Sequence, residues 1–135
     1  MALQITGIHH IVLTVSDPKR AASFYERILD VKADFETESV ICIPCGNFLL
    51  CLQKPPRGGN PGDRFDENRL GLDHIGFSVA SRNQLNKLLD HLKKMGIPTS
   101  GIEFDQDGQS DYVCFRDPDN IQIEFYMGEF QSALS

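Results

Sequence analysis

Three residues of this chain, His10, His74 and Glu124, have the types and the surroundings needed to hold a divalent metal ion. Neutral imidazoles and a carboxylate are ordinary donors for such ions. Two His with one carboxylate leave coordination positions open, as catalytic rather than structural sites do. His10 opens the run His10-Ile-Val-Leu-Thr-Val15, which recurs 64 residues later as His74-Ile-Gly-Phe-Ser-Val79. Successive side chains of a strand point to opposite faces. Ile11, Leu13 and Val15 therefore share one face, and His10, Val12 and Thr14 the other. The copy sets His74, Gly76 and Ser78 against Ile75, Phe77 and Val79, and a last run sets Gln122, Glu124 and Tyr126 against Ile121, Ile123 and Phe125.

This parity selects His10 over His9, which falls in phase with the apolar set and reads as a boundary side chain. A lone His at a strand start is more often an ordinary polar residue, and it is the repeat that raises both histidines to ligands. A carboxylate flanked by Ile123 and Phe125 near a core is costly unless paired or metal-bound, so Glu124 is expected as the third ligand and, on detaching, as a catalytic base. Tyr112, Cys114, Arg116, Gln122 and Tyr126 share the open-face parity. Arg116 and Tyr126 are the expected substrate contacts, with Tyr112 and Cys51 lining the same space. His91 lies off the apolar stripe of its helix and reads as solvated.

Each copy of the repeat leads into a helix. Asp17 can cap the first and Pro18 suits its first position, with Ala21, Ala22, Phe24, Tyr25, Ile28 and Leu29 at helical spacing. In the second, Ser81 and Gln84 suggest a capping box, Leu85, Leu88, Leu89, Leu92 and Met95 form the stripe, and Gly96 and Pro98 end it. Strand-like runs follow at roughly 32–36, 39–44 and 47–53, then at 99–104, 111–116 and 122–127. Both halves thus read strand, helix and three strands. The expected fold is α+β: one domain over 1–135, made of two βαβββ units whose sheets face each other across a cleft, with the helices outside. Unit one covers about 5–53 and unit two about 70–128. The Pro- and Gly-rich stretch at about 54–69 is the linker.

With 135 residues, 41% hydrophobic and 24% charged, the chain has the balance of an ordinary globular domain. A net charge of −6 argues against a nucleic-acid partner. No apolar run approaches the roughly 20 residues that span a bilayer, so no membrane partner is expected. The start MALQITGIHH has no basic region leading into an apolar one, and a cytoplasmic protein is expected. Cys42-Ile-Pro-Cys45 has the C-x-x-C spacing, but no helix follows it and no second pair supports zinc. All four cysteines are therefore read as reduced thiols packed as small hydrophobes.

The chain resembles the vicinal oxygen chelate superfamily, which includes glyoxalases, bleomycin-resistance proteins, extradiol dioxygenases, methylmalonyl-CoA epimerases and fosfomycin-resistance transferases. The resemblance rests on His10-Ile-Val-Leu-Thr-Val-Ser-Asp17, Ala22-Ser-Phe-Tyr-Glu-Arg-Ile-Leu29, Asp73-His-Ile-Gly-Phe-Ser-Val79 and Phe115-Arg-Asp-Pro-Asp-Asn-Ile-Gln-Ile-Glu124. It implies paired βαβββ units forming a cup-shaped mixed sheet, with one divalent ion (Zn, Ni, Mn or Fe(II)) in the cup. His10, His74 and Glu124 match the family's first-strand His, fifth-strand His and last-strand Glu. It further implies a small-molecule substrate that chelates the metal through neighbouring oxygens, and a homodimer whose sites lie within one chain or across two. The expected function is a metal-dependent enzyme, a glyoxalase-like lyase or isomerase or a ring-cleaving dioxygenase. The alternative is a bleomycin-resistance-like binding protein without catalysis.

Departures from the family set limits. Cys51, with Gln53 next on its face, stands where many members carry a fourth carboxylate or amide ligand. Cys114 stands where extradiol dioxygenases commonly have Tyr. The fosfomycin-type transferases use basic residues near the C-terminus, where this chain ends Phe-Gln-Ser-Ala-Leu-Ser.

Overall fold

The structure is a computed structural model that describes residues 2–130. The chain divides into two compact units, the first running to Asp63 and the second from Arg64. The first contains β1 (His10–Thr14), α1 (Pro18–Leu29), β2 (Phe35–Glu36), β3 (Val40–Cys45) and β4 (Phe48–Gln53). The second contains β5 (His74–Val79), α2 (Arg82–Met95), β6 (Glu103–Asp105), β7 (Ser110–Arg116) and β8 (Gln122–Met127). Each unit builds one four-stranded sheet, in the orders β1-β4-β3-β2 and β5-β8-β7-β6. The first and last strands of each unit pair in parallel and the rest antiparallel, giving the expected α+β arrangement twice over.

The local signals explain the elements. The Asp17 carboxylate accepts from the Lys19 and Arg20 amides at 3.1 and 3.3 Å, Pro18 begins α1, and Asp30 ends it at φ 55°. Ser81 stands at the start of α2 without a side-chain cap, so the expected capping box does not form; Gly96 at φ 70° ends the helix as expected. The buried stripe of α2 narrows to Leu85, Leu88 and Leu92. Each such buried leucine contributes about 1.5–3 kcal/mol. His91 departs from its expected solvation: its Nδ1 is buried and has no hydrogen-bond partner among the described residues.

Alternation sets the faces of the second sheet. Ile75, Phe77, Val113, Phe115, Ile123 and Phe125 are buried, whereas His74, Gly76 and Ser78 are exposed and Gln122, Glu124 and Tyr126 partly so. The edge strands β2 and β6 are shorter than the runs predicted for them. Their backbone groups turn to side chains instead: Ala33 N–H donates to Glu26 Oε2 at 2.8 Å, and Gly101 N–H to Thr99 Oγ1 at 3.2 Å. The segment 64–68, linker by composition, is tied to the second unit. Phe65 N–H donates to the Asp119 carbonyl at 3.0 Å, and Asn120 Nδ2 donates to the Phe65 carbonyl at 2.9 Å.

The expectation for the cysteines is also corrected. Cys42 and Cys51 form a disulfide, and the free thiols among the described residues are Cys45 and Cys114. Cys42 and Cys45 are three apart on one strand and so face opposite ways. Cys42 and Cys51 lie directly opposite in the antiparallel β3–β4 ladder, with Cα atoms 4.1 Å apart, which brings the two sulfurs together. Among the described residues no helix is long and apolar enough to cross a membrane.

Candidate functional site

Strand register lays out the open face of the second sheet. Gly76, Glu124 and Cys114 form one row across β5, β8 and β7; His74, Gln122 and Arg116 form the row beside it, and Ser78, Tyr126 and Tyr112 the row on its other side. His74 and Glu124 are thus brought together, with His74 Nε2 3.6 Å from Glu124 Oε2. His74 Nδ1 lies 2.7 Å from Asp73 Oδ1. With Nδ1–H donating a hydrogen bond to that carboxylate, a neutral ring would carry its lone pair on Nε2. Nε2 and the Glu124 carboxylate face one another across 3.6 Å, an arrangement that calls for a cation or a proton between them. Beside Glu124, Gly76 presents no side chain, and a Cβ there would meet nothing within 4 Å.

A divalent ion fits this donor set. One imidazole nitrogen and one carboxylate oxygen converge on open space, and the ring is held from behind by an acid, a common support for a metal-binding His. His10, the first-unit ligand expected from the repeat, is exposed, and its Nδ1 lies 2.9 Å from His9 Nδ1. His9 occupies the repeat position of Asp73 and likewise contacts the ring that follows it, a contact that parity alone did not reveal. Among the described residues no group of three or more His, Cys, Asp and Glu side chains gathers in a metal-holding arrangement.

The other candidates have specific partners. Cys114 Sγ donates to Glu124 Oε2 at 3.4 Å, and burial followed by that carboxylate pushes its thiol up to about 12. Tyr112 Oη donates to Glu103 Oε2 at 3.0 Å, which with burial lifts the phenol to about 12. Tyr126 Oη donates to Asp105 Oδ2 at 2.9 Å; burial and then this bond raise the phenol, and the bond lowers the Asp105 carboxyl. The two tyrosine rings stack at 6.3 Å and 14°. Arg116 is engaged by Glu67, its Nη1 at 3.1 Å from Oε2 and its Nη2 at 2.8 Å from Oε1.

Cys51 stands beside Val12 on its sheet face but is buried, and the reduced-thiol expectation fails there because its sulfur is joined to Cys42. Neither Asp73 as the ring's support nor Glu67 as the partner of Arg116 was expected. Asp73 is signalled by its adjacency to His74. Glu67 sits in a Pro- and Gly-rich stretch that gives no sign of it. The C-terminal tail beyond Phe130 lies outside the described residues.

Repeated βαβββ units, each building one four-stranded mixed sheet, define a class of α+β proteins. The chain belongs to the Glyoxalase/Bleomycin resistance protein/Dioxygenase superfamily, whose family model matches residues 7–125. Metallothiol transferase FosB of Lysinibacillus sphaericus is 26% identical over 135 residues, covering 98% of this chain and 89% of that protein. A glyoxylase/bleomycin resistance protein/dioxygenase domain from Frankia sp. EAN1pec superposes with TM-score 0.80 at 31% identity, covering 93% of this chain and 100% of that one. A mutant of the fosfomycin resistance protein FosX from Listeria monocytogenes, in complex with Mn(II) and 1S,2S-dihydroxypropylphosphonic acid, superposes with TM-score 0.72 at 19% identity and 94% coverage of both chains.

Proposed function

We propose that this protein is a metal-dependent enzyme acting on a small substrate that chelates one divalent ion through two neighbouring oxygens. The observation that carries the reading is His74 Nε2 facing the Glu124 carboxylate at 3.6 Å, with Asp73 Oδ1 2.7 Å from Nδ1 behind the ring. His10 completes the ligand set by repeat symmetry, from this chain or from a second copy in a homodimer. Relatives support the metal: the FosX complex contains Mn(II), and the FosB relative is by name a metallothiol transferase. When bound, the ion would supply Lewis-acid stabilisation of negative charge developing on a substrate oxygen. His74 contributes a neutral donor held in one orientation. Glu124 contributes an anionic donor that, on detaching, can take a substrate proton, and Cys114 Sγ donates to that carboxylate from the neighbouring strand.

The test is metal analysis of protein purified without chelator, followed by calorimetric titration with Mn(II) and Zn(II). One equivalent per chain is expected, lost in His74→Ala, Glu124→Gln and His10→Ala. A protein that binds no metal yet still binds small molecules would instead be a binding protein of the bleomycin-resistance kind.

A further inference from the structure

Arg116 is the single Lys or Arg in the four strands of the second sheet, and it stands on the open face in the row of His74 and Gln122. It also lines a cavity of about 510 Å³ with Glu103, Cys114 and Gln122. An arginine so placed would ordinarily anchor an anionic substrate through its planar fork. Here the fork already holds a carboxylate. Both Glu67 oxygens meet the two Nη atoms, at 3.1 and 2.8 Å, and Nη1 also donates to the Asn120 carbonyl at 3.1 Å.

Glu67 is held in that position. Arg64 donates to Asn120 Oδ1 at 2.9 Å, and the Phe65 backbone is bonded to the same turn on both its amide and its carbonyl. The loop is therefore fastened to the end of β7 just where Arg116 emerges. The two phenols of this face are each engaged by an acid: Tyr112 by Glu103 and Tyr126 by Asp105. An incoming phosphonate or carboxylate would find its one cation neutralised and each phenol turned to an acid.

We infer that Glu67 is a specificity-determining residue that fills the anion position at Arg116, so that the enzyme takes substrates uncharged at the end that meets Arg116. This separates the chain from the FosX protein, whose complex contains a phosphonic acid. The substrate class rests on the metal-chelating reading, but the anion block itself does not require a metal.

The test is calorimetric titration of metal-free protein with methylphosphonate at low ionic strength, using wild type, Glu67→Gln, Glu67→Ala and the double variant Glu67→Gln/Arg116→Gln. Removing the resident carboxylate should raise methylphosphonate affinity by about tenfold or more in both single variants. The double variant should return to the wild-type level. Melting curves identify folded variants, and Glu67→Ala serves if Glu67→Gln does not fold. The inference is overturned if wild type binds as tightly as the single variants, if folded single variants show no gain, or if the gain survives loss of Arg116. Because no metal is present, a failure here is distinct from a failure to bind Mn(II).

Discussion

Under the proposed metal-dependent reading, Asp73 should control metal affinity without itself being a ligand. Its carboxylate holds His74 Nδ1 at 2.7 Å, which fixes both the tautomer and the ring angle that aim Nε2 at Glu124. Removing such a supporting acid typically weakens metal binding by 10–100-fold. The Asp73 side chain is 64% exposed and that of His74 37%, so water screens the pair and can replace part of the contact. The lower end of the range applies: Asp73→Ala should raise the metal Kd by about tenfold, or about 1.4 kcal/mol. Asp73→Asn keeps an acceptor oxygen for Nδ1–H but loses the charge, and should fall between the two. The assay is calorimetric titration with Mn(II) and Zn(II) at fixed pH, with melting curves confirming that these exposed substitutions leave the fold intact. If Asp73→Ala binds metal like wild type while His74→Ala abolishes binding, the argument that Asp73 orients the ligand is wrong.

Two further outcomes follow from named bonds. Unreduced protein in denaturant should present two reactive thiols, Cys45 and Cys114, and reduced protein four; four thiols before reduction would contradict the Cys42–Cys51 bond. Closing a loop with a sequence separation of 9 restricts the unfolded chain by about 2.6 kcal/mol, so denaturant unfolding with and without reductant should differ by roughly that amount. The ion pair of Glu67 gives a pH signature. Arg116 holds this carboxyl at about 2, against its ordinary 4.5. A lowered folded-state value stabilises the fold fully above 4.5, and the contribution disappears as pH falls through about 2. The melting difference between wild type and Glu67→Gln should therefore be largest near neutrality, shrink below pH 4.5 and vanish near pH 2; a difference that does not change with pH would sink the assignment.

The faces of β1 and of the second sheet could be read in the sequence because a strand's period of two maps onto burial there, whereas β3 and β4 bury three consecutive residues each. His10, His74, Glu124 and the set on β7 and β8 all fall on the side that alternation gave them. The Arg116–Glu67 pair could not be read. It joins residues 49 apart through side chains alone, and one partner lies in a segment whose composition says only that it is irregular. The disulfide is an intermediate case. Gly46-Asn47 is a two-residue hairpin turn, and such a turn fixes register: Cys45 meets Phe48, Ile43 meets Leu50, and Cys42 meets Cys51. The C-x-x-C spacing drew attention to the wrong partner, since geometry on a strand favours the residue across the ladder.

That register also makes the two units unequal. By the repeat, Val12, Cys51 and Cys42 occupy the row that Gly76, Glu124 and Cys114 occupy in the second unit. One row holds a carboxylate beside an empty glycine position; the other holds a valine beside sulfurs bonded to each other. The first sheet is thereby left with His10 as its candidate donor. Under the proposed reading, the acid chemistry of the site must come from the second sheet.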